Sequence, residues 1–273
     1  MSYLLSQGMA GLRHVILLKY MAHSMVAEAW LTFLSTCLQA IYVVVLYHAA
    51  LRVINEHYAM LATAGLVLNY VLTNVRSEAT SPQSPMYRSD NVLAELPISP
   101  LTIFRLGWLL TAATSGALTL VNFTILRLAL PPQHVGAWQL QILPLSALTS
   151  PSVSLFMNLQ WSLQWYAIST LSLSLSRRLR VLSYALLQRI LSRLMLILSF
   201  SLSSAVPVYY TLASMPWWAK PLALVNPQTF LIEAGRGELD VAEAAAALLT
   251  SCCLYYAANE FLFRRAVMRG PPP

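Results

Sequence analysis

Charge is what this sequence has least of. Of 273 residues, 10% are charged and 58% are hydrophobic. A soluble globular domain carries about 25% charged residues, so this chain cannot coat itself for water. Lysine is almost missing, with Lys19 and Lys220 the only two. Neither sits in a G-x-x-x-x-G-K-[ST] loop, the element that cradles nucleotide phosphates, so the chain has no P-loop of its own for ATP. H-E-x-x-H and G-x-S-x-G are also lacking, and the five histidines are scattered. No catalytic cluster and no metal-ligand set can be assembled, and an enzyme is not expected. Cysteine is scarce as well. Cys37, Cys252 and Cys253 lie inside apolar runs without C-x-x-C spacing, where free thiols behave as small hydrophobes.

What is present is a series of apolar runs. A membrane-crossing helix needs about 20 such residues. Six segments qualify: 30–51, 58–75, 106–126, 152–175, 186–212 and 241–263. Before them, residues 1–21 mix Leu5, Met9, Leu12 and Ile16 at helical spacing with Arg13, His14 and Lys19. That pattern predicts an amphipathic helix on the membrane surface rather than a cleaved signal. Between Leu128 and Ser176 there is no Asp, Glu, Lys or Arg. Pro144 and Pro151 interrupt this stretch, so a loop or re-entrant piece is expected over 128–150, with the fourth span after it. Pro207 is expected to kink the far end of the fifth span.

The fold class implied is all-α: a polytopic membrane protein of one transmembrane domain with six spans. The net charge of +7 fits this reading, because the cations fall at the ends of apolar runs. No basic stripe for nucleic acid is formed. With both termini in the cytoplasm, thirteen Lys and Arg residues lie inside and four outside (Arg52, Arg127, Lys220 and Arg236). The positive-inside rule therefore selects a cytoplasmic-membrane protein with both ends inside.

Acids inside a membrane usually mark function. Here Glu28 and Glu260 sit near helix ends, and Glu260 lies four residues before Arg264, a spacing that allows an ion pair. Both read as interfacial anchors, not as a proton relay. Uncharged polar residues are commoner. Gln160 and Gln164 share a face of the fourth span, and Ser199 and Ser203 stand in the fifth. They could line a partly polar path; the plainer alternative is small-residue helix packing, as for Ser162 and for Asn69, Asn74 and Asn122.

Two segments carry more information. The first is Glu95-Leu96-Pro97-Ile98-Ser99-Pro100-Leu101, in the cytoplasmic connection 77–101. The second is Asn226-Pro227-Gln228-Thr229-Phe230-Leu231-Ile232-Glu233-Ala234-Gly235-Arg236, on the outer side. The region 215–239 around it is too apolar for an ordinary loop and too broken by Pro216, Pro221 and Pro227 for a span. A re-entrant hairpin fits, since irregular backbone at membrane depth must be packed in protein or line a cavity.

Together these segments resemble the membrane (permease) subunit of an ABC-2 type ABC transporter. That family shows an E-L-x-x-S/T-P-L stretch after span two and an N-P-x-T/S-x-x-x-E-x-x-R stretch before span six. The resemblance covers the whole chain. It implies an ATP-driven exporter in which this chain pairs with a second copy of itself or a similar permease. Each subunit would dock on a cytoplasmic P-loop ATPase that binds the ATP and Mg2+. Asp90, Leu93, Glu95, Leu96, Pro97 and Pro100 would form the coupling helix. Asn226, Pro227, Thr229, Glu233 and Arg236 would form the outer gate, and the path would run between the two membrane subunits. The prolines in 77–90 imply a late start for the coupling helix, and Gly235 implies a weakened second helix in the hairpin. An ATP-independent secondary transporter or channel is the alternative; it calls for mid-membrane acids or paired broken helices, which the sequence lacks.

Overall fold

The computed structural model describes residues 100–129, 142–173 and 180–267, together with positions 34, 35, 37, 38, 41, 42, 45, 62, 64, 65, 66, 68 and 69. Every regular element among the described residues is helical. In chain order these are α1 (Pro100–Ala129), α2 (Ile142–Leu173), α3 (Arg180–Ser204), a 3-10 turn (Leu212–Ser214), α4 (Lys220–Val225), α5 (Gln228–Arg236) and α6 (Val241–Val267). The N-terminal surface helix, most of the first two spans, and Asp90, Leu93, Glu95, Leu96 and Pro97 lie outside the described residues.

α2 is the central helix, packed against α1, α3, α5 and α6. Its neighbours have a fixed sense. Arg105 meets Glu260 and Trp108 meets Tyr256, so α1 and α6 run antiparallel. Ser152 meets the Leu248 carbonyl and Ser162 meets Asn259, so α2 and α6 run parallel. Leu155 and Val153 of α2, Phe123 of α1 and Leu248 of α6 are fully or almost fully buried. Ala62, Ala64, Leu66 and Leu68 join the same core.

The outward faces are apolar too. Leu196 and Phe200 of α3 are 71% and 73% exposed, and Leu254 and Phe261 of α6 are 64% and 56% exposed. Single exposed apolar residues are ordinary, but rows of them on long helices are surfaces for something other than water. Among the described residues, two helical stretches, Ile142–Gln160 and Val241–Arg265, are long and apolar enough to span a membrane.

Several boundaries differ from expectation. Of the loop expected over 128–150, residues 128 and 129 belong to α1 and residues 142–150 to α2, which starts ten residues before the expected 152; residues 130–141 lie outside the described residues. Pro144 is the third residue of α2, where the missing N–H has no intrahelical partner to lose. Pro151 lies inside the helix and leaves the Ala147 carbonyl without its usual donor. A methyl group on Gly116 of α1 would meet the Ala147 carbonyl oxygen at 3.9 Å, an ordinary contact distance, so α1 lies alongside this turn. α3 covers 180–204, where the fifth span is expected over 186–212. Pro207 therefore lies beyond its end instead of kinking it. The residue before a proline avoids helical backbone, and the chain has already left the helix at Ala205. Pro100 and Leu101, assigned to the coupling region, open α1; proline suits the first position of a helix.

Candidate outer-gate hairpin

Between α3 and α6 the chain folds into a short helical hairpin. Proline places its pieces. Pro216 follows the 3-10 turn, Pro221 is the second residue of α4, and Pro227 stands directly before α5. Each occupies a site where a helix has no use for an N–H. The C-terminal end is set by Gly237, whose φ of 79° is the left-handed cap conformation. Its N–H donates to the Ala234 carbonyl at 3.0 Å, and the Glu238 N–H donates to the Glu233 carbonyl at 3.0 Å. Gly235, expected to weaken the hairpin's second helix, sits inside an uninterrupted α5 and is buried. Asp240 then caps α6 by accepting from the Ala242 N–H at 3.0 Å.

The tip of the hairpin is deep. The Tyr255 hydroxyl donates to the Val225 carbonyl at the end of α4. Tyr255 is fourteen residues into α6, about 21 Å along its axis at 1.5 Å per residue. Asn226 joins three elements there. Its Oδ1 accepts from the Gln228 N–H at 3.1 Å and caps α5. Its Nδ2 donates to the Leu202 carbonyl at 3.5 Å, one of the free acceptors in the last turn of α3. Thr229 closes the turn by donating its hydroxyl to the Ala223 carbonyl at 2.6 Å. Gln228 is completely buried and donates to Asn69 Oδ1 at 3.4 Å.

The other end of α5 carries a buried ion pair. Arg236 Nη1 lies 3.3 Å from Glu233 Oε1, and the two side chains are 4% and 7% exposed. Burying two charges costs several kcal/mol per ion unless further hydrogen bonds complete the site. They do. Glu233 Oε1 also accepts from the Leu212 N–H at 3.2 Å. Arg236 donates to the carbonyls of Pro207, Val208 and Tyr210, the last at 2.7 Å. The irregular stretch after α3 thus has its carbonyls turned onto one planar guanidinium, whose fixed fork of five donors suits several acceptors at once. Asn226, Thr229, Glu233 and Arg236 are brought together in one hairpin, and Pro227 positions its second helix.

The remaining expected residues are less concentrated. Gln160 is buried on α2, and Ser203 is half-buried in the last turn of α3. Gln164 and Ser199 lie on the same two helices. Glu260 does pair with Arg264, and it also accepts from Arg105 at 2.5 Å, joining α6 to α1. Among the described residues, no group of three or more His, Cys, Asp and Glu side chains is placed to hold a metal.

No family model, curated protein or solved structure matches the chain.

One residue of the helix core escaped the sequence reading. Asn259 is completely buried in α6. Its Nδ2 donates to the carbonyls of Leu155 and Tyr255, both at 2.8 Å, and its Oδ1 accepts from the Ser162 hydroxyl at 2.8 Å. The available signal was an amide seven residues after Cys252, inside an apolar run, directly before Glu260. Ser162 thereby takes the packing role over the path role.

Proposed function

We propose that this chain is the transmembrane subunit of an ATP-driven ABC transporter of the ABC-2 type, working as an exporter. It is a multi-pass protein of the cytoplasmic membrane with both termini inside. It pairs with a second permease and couples to separate cytoplasmic ATPase subunits, with Glu95 and Leu96 in the coupling helix. The observation that carries the reading is the hairpin at 212–239. Each residue of the N-P-x-T-x-x-x-E-x-x-R pattern has its own structural task there, and the tip lies about 21 Å along α6. That depth is more than half of a hydrocarbon core about 30 Å thick. Backbone at such a depth needs satisfied polar groups, and Asn226, Thr229 and Arg236 supply the bonds.

The helix directions support the same topology. An α1 that runs outward requires α2 and α6 to run inward, in keeping with their parallel packing. The exposed apolar rows of α3 and α6 then face lipid.

The test is co-purification in mild detergent. Tagged native chain is compared with the double variant Glu95→Ala, Leu96→Ala. A P-loop ATPase that accompanies the native chain and is lost from the variant is the expected result. Its absence from the native sample overturns the transporter reading.

A further inference from the structure

We propose that the corner formed by the start of α1 and the end of α6 is a binding site for one anionic phospholipid, with its phosphate on Arg264 and Arg265 and its acyl chain along α6. The proposal rests on the membrane topology argued above.

Four charged groups meet at this corner. Glu260 accepts from both Arg105 and Arg264 and is only 14% exposed, whereas the two arginine side chains are 46% and 50% exposed. The carboxylate therefore lies underneath and the guanidinium groups face out. A guanidinium has five N–H donors, and Glu260 occupies few of them. Arg265 stands beside them, also exposed, with its guanidinium carbon 5.2 Å from the centroid of the Phe261 ring. Three cations over one anion leave an excess of two positive charges on an outward surface. Guanidinium groups in this arrangement match the oxygens of a phosphate.

Below the cations the surface turns apolar. Arg265, Phe261 and Leu254 lie four and seven residues apart on one face of α6, and Phe261 and Leu254 are well exposed. From Arg265 to Leu254 is eleven residues, about 16 Å of helix, the depth of one leaflet of a hydrocarbon core about 30 Å thick. The Trp108 and Tyr256 rings, 5.0 Å apart, sit one turn below Arg105 and Glu260 and pack α1 against α6 under the charged corner. An acidic protein partner would be served by the cations alone. The continuous apolar stripe under them selects a lipid.

The experiment places the full chain in nanodiscs of phosphatidylcholine with increasing phosphatidylglycerol and reads the thermal unfolding midpoint. Wild type is expected to gain stability as phosphatidylglycerol rises and to saturate. Arg265→Gln leaves the Glu260 ion pairs intact and should need about fivefold more phosphatidylglycerol for the same gain, the effect of one juxtamembrane cation. The double variant Arg264→Gln, Arg265→Gln should lose most of the gain. Its control is Arg189→Gln, Arg193→Gln on α3, which removes the same charge from exposed positions elsewhere and should keep the gain. Equal losses from the two double variants would mean diffuse surface attraction and overturn the site. Wild type that is stable in phosphatidylcholine but indifferent to phosphatidylglycerol also overturns it, while leaving the membrane reading intact. A chain that cannot be incorporated into a bilayer overturns both.

Discussion

A methyl group on Gly65 would stand 2.4 Å from Nη2 of Arg236 and 2.0 Å from the Val208 carbonyl oxygen. The second apolar segment and the hairpin clasp are therefore in direct contact, with no room for a side chain between them. Val208 is also one of the carbonyls that Arg236 holds. Its oxygen cannot retreat without breaking that bond. Gly65→Ala should thus behave as an overpacked site, costing about 1–3 kcal/mol. The check is thermal unfolding in detergent, where the variant's midpoint should fall clearly below that of Ala62→Gly, a cavity-type change on the same segment.

The two halves of the buried ion pair should not be equivalent. Arg236 serves three carbonyls and a carboxylate, so Arg236→Lys leaves acceptors stranded and Arg236→Leu leaves all of them so. Removing one partner of a buried pair costs about 3–5 kcal/mol. Glu233→Gln keeps an oxygen for the Leu212 N–H and for Arg236, while Arg236 retains its three neutral acceptors. The substitution still leaves the buried Arg236 charge without its counter-ion, so its cost should lie at the lower end of that range, about 3 kcal/mol, and below that of Arg236→Leu. Unfolding midpoints of the three variants measure the asymmetry. Equal losses for Glu233→Gln and Arg236→Leu would show that charge, and not the carbonyl set, holds the hairpin.

Much of this hairpin could be read in the sequence, because its determinants are local. Prolines at 216, 221 and 227 break any long helix, and the Asn226-to-Arg236 spacing places Glu233 and Arg236 one turn apart. The carbonyls that Arg236 binds could not be read. They belong to a backbone stretch, 207–210, whose side chains (Pro, Val, Tyr, Tyr) carry no sign of the task. For the same reason the sequence suggests a kink at Pro207: a proline in an apolar run looks alike within a helix and just after one. The start of α2 is not legible because Pro144 and Pro151 are breakers by local rule, and tertiary packing against α1 outweighs that rule at Pro151.

The Asn259 bridge gives a prediction on coupling. Asn259→Leu removes the amide that Leu155 and Tyr255 carbonyls accept from, and it leaves the Ser162 hydroxyl without its acceptor. Interhelical hydrogen bonds of this kind in membranes average about 0.6 kcal/mol and reach about 1.7. Asn259→Leu should exceed Ser162→Ala in cost, because it affects two carbonyls as well as the hydroxyl. In a double-mutant cycle, Ser162→Ala should cost nothing further once Asn259 is Leu. Additive losses in the cycle would mean that the two residues act independently and that the bond between α2 and α6 has no energetic role.

Prolines 144 and 151 supply a paired test of where α2 begins. If residues 142–150 formed a loop ahead of the fourth span, both prolines would stand outside regular helix and either replacement by alanine would matter little. In the helix Ile142–Leu173 they differ. Pro144 is in the first turn, where no N–H is needed, so Pro144→Ala should leave stability nearly unchanged. Pro151 is ten residues in, and alanine there restores a donor for the Ala147 carbonyl and removes the ring's clash with the preceding turn. An interior proline costs a helix about 3 kcal/mol. Because the surrounding helices have packed around the proline ring, part of that gain should be lost to repacking, leaving an increase of about 1–2 kcal/mol. Thermal midpoints of Pro151→Ala and Pro144→Ala, measured side by side in one detergent, read the difference. A rise for the first and no change for the second fits a continuous helix through both positions. No change in either would return residues 142–150 to a loop.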